Sequence, residues 1–341
     1  MSEIAHGSRI WQEMIDSSTS RVRDELLAGR SATLEAKLLR KIDSERPRAG
    51  TKPLWFLESA EGHRFVLKVA EPALMEAEQI AWELRELGGR PTVPAWIETV
   101  HVEGLGEIRG LVKPYVELEN DAELGSDTTS WSELQRSVML LEHAWEWLLD
   151  NLDTNTSQYA LLGPDAYPVN IDWDRCYASD ARSELSRFAK YKSGLPNART
   201  FLYADYVEGR TELQFALLQR EGSRVRKLPE SEVRRIVERF ARVRFDDPDQ
   251  AQALVERVLA RRREIEWEIA RFVRELRLER MRLNTVRPKT MLARARNALT
   301  LLWNQWQVAL AAVVRSPAGS IGRALLKLVR SRQGADPALR G

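Results

Sequence analysis

The spacing of apolar residues changes along this chain, and each change predicts a different kind of structure. Over residues 10–42 the apolar positions Ile10, Met14, Val22, Leu26, Leu34, Leu38 and Leu39 recur mostly at helical intervals, with Gly29 as a break. Residues 44–53, SERPRAGTKP, form a turn-rich connector. Two short strand-like runs follow, 54–58 and 64–69, and the four residues from Ala60 to His63 between them predict a hairpin. Pro72 opens a helix over about 73–87 that Gly88 and Gly89 end. Residues 93–102 and 107–116 are two further strands. The order strand, strand, helix, strand, strand describes an α+β lobe.

Beyond an acidic, Ser/Thr-rich link at 117–130, the period becomes helical again. Residues 131–149 form one strong helix whose tail carries Trp145, Trp147, Leu148 and Leu149. The loop 150–158, DNLDTNTSQ, leads to two short strand-like pieces at 159–162 and 168–171. After residue 183 nearly everything is helical, including a long charged helix over about 249–282.

Composition narrows the function classes. A chain of 341 residues with 43% hydrophobic and 30% charged positions suits two lobes with appendages. The formal net charge of +2 supplies no global field for nucleic acid, which is not expected as a partner. The single cysteine, Cys176, excludes an internal disulfide framework and fits a reducing cytoplasm. Its neighbours Trp173, Arg175 and Tyr177 could activate it, but a half-buried, inert thiol is the expectation. The four histidines lack metal-ligand spacing. The N-terminus, with Glu3 and His6 and no apolar run, does not read as a signal peptide. The apolar stretch 298–314 is broken by Asn304, Gln305 and Gln307, and it falls short of the ~20 residues of a membrane span.

Three weak signals occur in a telling order. Lys68 ends the strand RFVLK behind the apolar Phe65, Val66 and Leu67, so its ammonium is expected near the lobe's inner surface. A buried cation needs an anionic partner, and the next helix offers Glu76, Glu78 and Glu83. The alternative is a surface lysine lying along an amphipathic helix. The loop 150–158 is dense in oxygen ligands, yet it fails the EF-hand pattern. Counting from Asp153, Gln158 stands at the glycine position and Pro164 at the glutamate position. A solvated turn capping the preceding helix is its other reading. Asp172 and Asp174 then follow the apolar run Val169-Asn170-Ile171, where a strand end can present a rigid carboxylate to a metal ion. Turn chemistry or helix capping would use the same residues.

This order resembles that of the HipA-like and phosphoinositide-kinase-like atypical kinases, over roughly residues 48–273. RAGTKPLWFL is similar to the family's phosphate-covering turn and first strands, which implies nucleotide contacts from Gly50, Thr51 and Lys52. RFVLK is similar to the strand of the nucleotide lysine, which would be Lys68. In EQIAWELRELGGRPTVP, Glu78, Ala81 and Leu84 meet the family's helix spacing, so Glu78 is preferred over Glu76 as the partner of Lys68. VKPYVE resembles the hinge between lobes, with the adenine received by backbone around Lys113, Tyr115 and Val116. LLDNLDTNTSQYALL resembles the catalytic loop, with Asp153 as the catalytic aspartate and Gln158 at a metal-ligating position. PVNIDWDRCY resembles the strand with the metal-binding aspartate, Asp172. LARRREIEWEI is similar to a C-lobe helix that often carries paired arginines.

The resemblance implies a two-lobed, protein-kinase-like α+β fold, with a small β-rich N-lobe holding one key helix and a larger, mainly helical C-lobe. Its expected boundaries are an N-terminal helical extension at 1–43, the N-lobe at 44–117, the C-lobe at 118–284 and a C-terminal extension at 285–341. ATP and Mg²⁺ are the implied cofactors; the resemblance leaves the acceptor open among proteins, lipids and other small alcohols, and a protein or peptide hydroxyl is the expectation. The sequence departs from the family where Thr154 and Asn155 replace Arg and His, and where Gln158 replaces Asn. These departures leave a second reading open, a catalytically weak or dead pseudokinase that binds nucleotide and serves as an adaptor.

The C-terminal segment has its own character. From residue 287 onward ten Arg and Lys residues face a single acid, Asp336, and Leu299, Leu302, Trp303, Trp306, Leu310, Val313 and Val314 share one helical stripe. Such a segment can pack on the C-lobe, bind an anionic membrane surface or fill a partner's groove. A cytoplasmic protein, peripheral to a membrane if the second case holds, is the expected setting.

Overall fold

A five-stranded antiparallel sheet, its strands lying side by side in the order 40–42, 54–58, 64–68, 106–114 and 96–102, carries the first of the candidate residues. The structure is a computed structural model that describes residues 2–31, 40–42, 54–116, 124–125, 127–151, 154, 156–177 and 198–286. The strands are β1 (Arg40–Ile42), β2 (Leu54–Glu58), β3 (Arg64–Lys68), β4 (Trp96–Val102) and β5 (Gly106–Pro114). Helices α1 (Ser2–Ser31) and α2 (Pro72–Leu87) belong to the same half of the chain. There follow α3 (Glu133–Leu148), the hairpin β6 (Tyr159–Leu162) and β7 (Tyr167–Asn170), and helices α4 (Ala198–Val207), α5 (Phe215–Arg226), α6 (Glu230–Arg244) and α7 (Pro248–Val286). The fold is therefore mixed α+β, a small antiparallel sheet followed by a larger helical part.

One expectation is overturned. Residues 40–42 do not continue a helix; Arg40, Lys41 and Ile42 pair with Glu58, Leu57 and Phe56 as an edge strand. The open edge of β2 offers backbone partners that outweigh a weak helical spacing. The hairpin, α2, the β4–β5 pair, α3 and the long last helix form where the pattern of the chain places them.

Alternation along β3 decides what the sheet buries. Phe65 and Leu67 point to one face, where they pack with Leu57, Val100, Val102 and Val112. The opposite face carries Lys68 and its β5 partner Leu111, and here α2 lays down Met75 and Trp82. Pro72 starts α2 without losing a hydrogen bond, since the first helical N–H has no internal partner. Gly88 ends it against Trp145 of α3, where an added Cβ would lie 2.3 Å from the indole. Helix α3 opens with a capping box between Ser132 and Gln135, and almost every later residue of it is buried. Its Leu134, Val138 and Leu141 join Ile15, Val22 and Leu26 of α1 and the hairpin residues Ala160, Leu162, Tyr167 and Val169 in one core.

The chain divides into two compact units, residues 1–205 with 211–269, and residues 206–210 with 270 onward. The sheet, α2, α3 and both hairpin strands lie in the first. Within the second, the Arg280 guanidinium sits 4.6 Å from the centre of the Tyr206 ring. No helix among the described residues is long and apolar enough to cross a membrane. The stretch 298–314 and the whole basic segment from residue 287 lie outside the described residues.

Candidate active site

The packing of α2 on the sheet explains how the site forms. Met75, Glu78 and Trp82 fall on one helical stripe, three and four residues apart. Burying Met75 and Trp82 against Leu111 therefore brings Glu78 to the strand residue paired with Leu111, which is Lys68. Lys68 Nζ donates to Glu78 Oε2 at 3.0 Å, to Asp172 Oδ1 at 3.1 Å and to Asp174 Oδ2 at 2.8 Å. A second ammonium enters from β5. Lys113 Nζ donates to Glu78 Oε1 and, at 2.5 Å, to the carbonyl of Ile171. Glu76 and Glu83, the other acids of α2 considered for Lys68, instead bind Arg239 of α6.

Three carboxylates thus share two ammonium groups in a largely dry place. Burial alone would push the Lys68 amine down, but Glu78, Asp172 and Asp174 override it and hold the group charged, well above its ordinary range. Burial would likewise raise Glu78, yet Lys113 and Lys68 hold it below the usual carboxylate range. Asp172 goes the other way. Burial raises it, the charge of Glu78 adds to that, and Lys68 offsets only part. Its side chain is also the most open of the three acids, at 39% exposure against 1% for Glu78 and 6% for Asp174.

Asp172 is presented by the hairpin. Asn170, fully buried at the end of β7, accepts the Asp172 N–H at 2.9 Å on its side-chain oxygen, and its carbonyl accepts from Trp173 Nε1 at 3.3 Å. The Ile171 N–H donates to the carbonyl of Gln158 at 2.9 Å, which places Gln158 beside the Asp172 segment. Gln158 Oε1 is buried with no hydrogen-bond partner. An orphaned amide oxygen on a residue whose backbone binds the Asp172 segment, together with an under-compensated carboxylate, fits a hard cation such as Mg²⁺, which needs only one or two protein oxygens beside phosphates and water. No group of three or more His, Cys, Asp or Glu among the described residues is arranged to hold a metal ion without such help.

No family model matches this chain, and no curated protein matches it. Among solved structures it is similar to the Helicobacter pylori proinflammatory kinase CtkA, at 12% identity and a TM-score of 0.45, over 68% of this chain and 96% of that one. It is similar to a Golgi casein kinase solved with Mn and ADP, at 11% identity and a TM-score of 0.40, over 77% and 76%. It is also similar to HipA of Shewanella oneidensis MR-1, at 16% identity and a TM-score of 0.31, over 75% and 72%. All three scores lie below 0.5, so a function must stand on the side chains themselves.

The structure brings together Lys68, Glu78, Lys113 and Asp172 of the expected residues. Tyr115 stays at the sheet's end, its ring edge-on to Phe56 and its N–H donated to the Arg64 carbonyl at 2.9 Å rather than left open. Val116 is half-buried against the α3 core. Gly50, Thr51, Lys52, Asp153 and Asn155 lie outside the described residues.

Other contributors had only faint signals in the sequence. Asp174 was legible as a turn acid and proves to be the nearest partner of Lys68. Behind Asp172, the Arg85 guanidinium lies 4.6 Å from the Trp173 ring centre and grips Glu142 of α3 through two bonds of 2.7 and 2.9 Å. Arg90 reaches both Glu142 and Glu221. Arg261, from the run of arginines in α7, donates to the Trp147 carbonyl at 2.7 Å and to Asp150 Oδ1 at 3.1 Å, fixing the start of the loop that follows α3. Asp150 and Tyr177 both adopt positive φ, and the Tyr177 N–H donates to the Leu149 carbonyl at 3.0 Å. A bulky residue in that region is strained, and here it ties the turn after Asp174 to the exit of α3.

Proposed function

We propose that this chain is an ATP-dependent phosphotransferase that moves the γ-phosphate to a hydroxyl of a protein or peptide. The observation that carries this reading is the convergence of Lys68, Glu78, Asp172 and Asp174 from a sheet, a helix and a hairpin end. A polyphosphate needs a fixed cation, and Lys68 is a charged amine held by acids rather than by water. Asp172 and Gln158 would hold Mg²⁺, which supplies charge neutralisation for the phosphates. Asp153, in the loop between α3 and β6, would orient the acceptor hydroxyl. Lys68 would neutralise the α- and β-phosphates while Glu78 fixes its direction, and Gly50, Thr51 and Lys52 would cover the phosphate tail.

A second reading keeps the fold and the nucleotide but not the transfer. Thr154, 2% exposed, stands where the resembled family has an arginine, and Gln158 adds a methylene at a ligand position. Transfer of radiolabel from [γ-³²P]ATP in the presence of Mg²⁺, to the chain itself or to an added protein mixture, separates the two. Label that disappears in Asp172→Ala supports the phosphotransferase. Nucleotide binding without label in the wild type leaves the adaptor, and label that persists in Asp172→Ala removes the mechanism.

A further inference from the structure

The side chain of Lys113 has no part in the roles assigned so far, yet its ammonium lies inside the charge cluster. It runs from β5 and meets both Glu78 Oε1 and the Ile171 carbonyl. Lys68 and Lys113 thereby bind the two oxygens of one carboxylate that is only 1% exposed. An ammonium has three N–H donors, and those of Lys68 are taken by Glu78, Asp172 and Asp174. A phosphate arriving at Lys68 must therefore replace a carboxylate. If Glu78 had Lys68 alone, sharing that ammonium with an incoming phosphate would leave a buried anion under-paired, which is strongly unfavourable.

We infer that Lys113 is a positioning residue that keeps Glu78 fully paired while Lys68 exchanges one of its three carboxylates for phosphate. This inference rests on the phosphotransferase reading and names a residue through which the nucleotide site is made loadable. The register supports it. Val66 pairs with Lys113 and Lys68 with Leu111, so both lysines stand on the same sheet face, two residues apart across β3 and β5. The role is charge and reach, so arginine should substitute and a neutral isostere should not.

The test is calorimetric titration of the full chain with a non-hydrolysable ATP analogue and Mg²⁺. Lys113→Met is expected to weaken binding at least about tenfold, the scale of one lost charge-assisted hydrogen bond, and Lys113→Arg to restore it to within about threefold. In a Glu78→Gln background the same Lys113→Met change should cost less than about threefold, because no buried anion remains to be held. Wild-type-like binding by Lys113→Met overturns the inference, as does an undiminished loss in the Glu78→Gln background. Should Lys113→Met fail to fold, the comparison of Glu78→Gln with Glu78→Gln/Lys113→Met decides alone, near-equal affinities supporting the inference and a tenfold gap overturning it. A wild-type chain that binds no nucleotide sinks the phosphotransferase reading itself, and this inference with it.

Discussion

Lys68 Nζ lies 2.8 Å from Asp174 Oδ2, closer than to either Glu78 or Asp172. The residue that best satisfies the strand lysine is thus neither the helix acid nor the strand-end acid, but the one two positions further on. Asp174 is buried and its removal leaves a donor of Lys68 facing no acceptor. Asp174→Ala should destabilise the fold by about 1.5–3 kcal/mol, the range of a hydrogen bond to a charged group, in a denaturant melt at pH 7. A midpoint equal to the wild type would show that Asp174 does not hold Lys68.

Asp172 should behave oppositely. Burial and the charge of Glu78 raise its carboxyl above the ordinary range, so its ionised form opposes folding. A group raised in the folded state gives stability below its unfolded value, roughly pH 4, and loses it as pH rises through the folded value. Asp172→Asn is therefore expected to melt higher than the wild type at pH 7, with the gap closing towards pH 4, while losing phosphoryl transfer. A lower melting temperature at pH 7 would contradict this.

Glu78 carries the reverse sign. Lys113 and Lys68 hold it below its ordinary range despite burial, so it stabilises above roughly pH 4.3 and less as pH falls through its folded value. Glu78→Gln should lower the melting temperature most at neutral pH and least in acid. A deficit that grows on acidification would mean that the ion pairs are not formed.

Deeper in the fold, Glu142 balances Arg85 and Arg90, all three almost fully buried. Breaking such a group by removing one partner costs about 3–5 kcal/mol. Glu142→Ala should lose that much in urea unfolding, and it should also loosen Trp173, against which Arg85 stacks. A red shift of tryptophan emission in the folded variant is expected, and unchanged stability would refute the network's importance.

Cys176 tests the dryness of the same region. It is 3% exposed, and burial together with Glu78, Asp174, Asp150 and Asp172 pushes its thiol well above the ordinary value. Ellman's reagent should label it slowly in the native chain at pH 8 and at once in urea. Rapid native labelling would place the thiol, and the cluster beside it, in water.

How much of this was legible in the sequence follows from the physics of each piece. The hairpin and α2 were readable because alternation, Pro72 and Gly88 are local signals, whereas Glu78 was singled out from Glu76 and Glu83 as the partner of Lys68 only by the family resemblance. Lys113 was read only for its backbone. Which face of β5 a residue occupies depends on register, and a slip of one position reverses it. Arg85, Glu142, Arg90 and Glu221 come from three helices and the loop after α2, so only the assembled core unites them. The edge strand β1 was misread as helix because its partner, β2, is what makes it a strand.

The central claim is that a nucleotide's phosphates lie against Lys68. An acyl-phosphate derivative of ATP acylates whichever amine sits beside its phosphates, releasing the nucleotide, and peptide mass spectrometry then reads the modified lysine. The account predicts acylation of Lys68 that excess MgATP suppresses. Labelling confined to other lysines, or label at Lys68 that MgATP leaves unchanged, would contradict it.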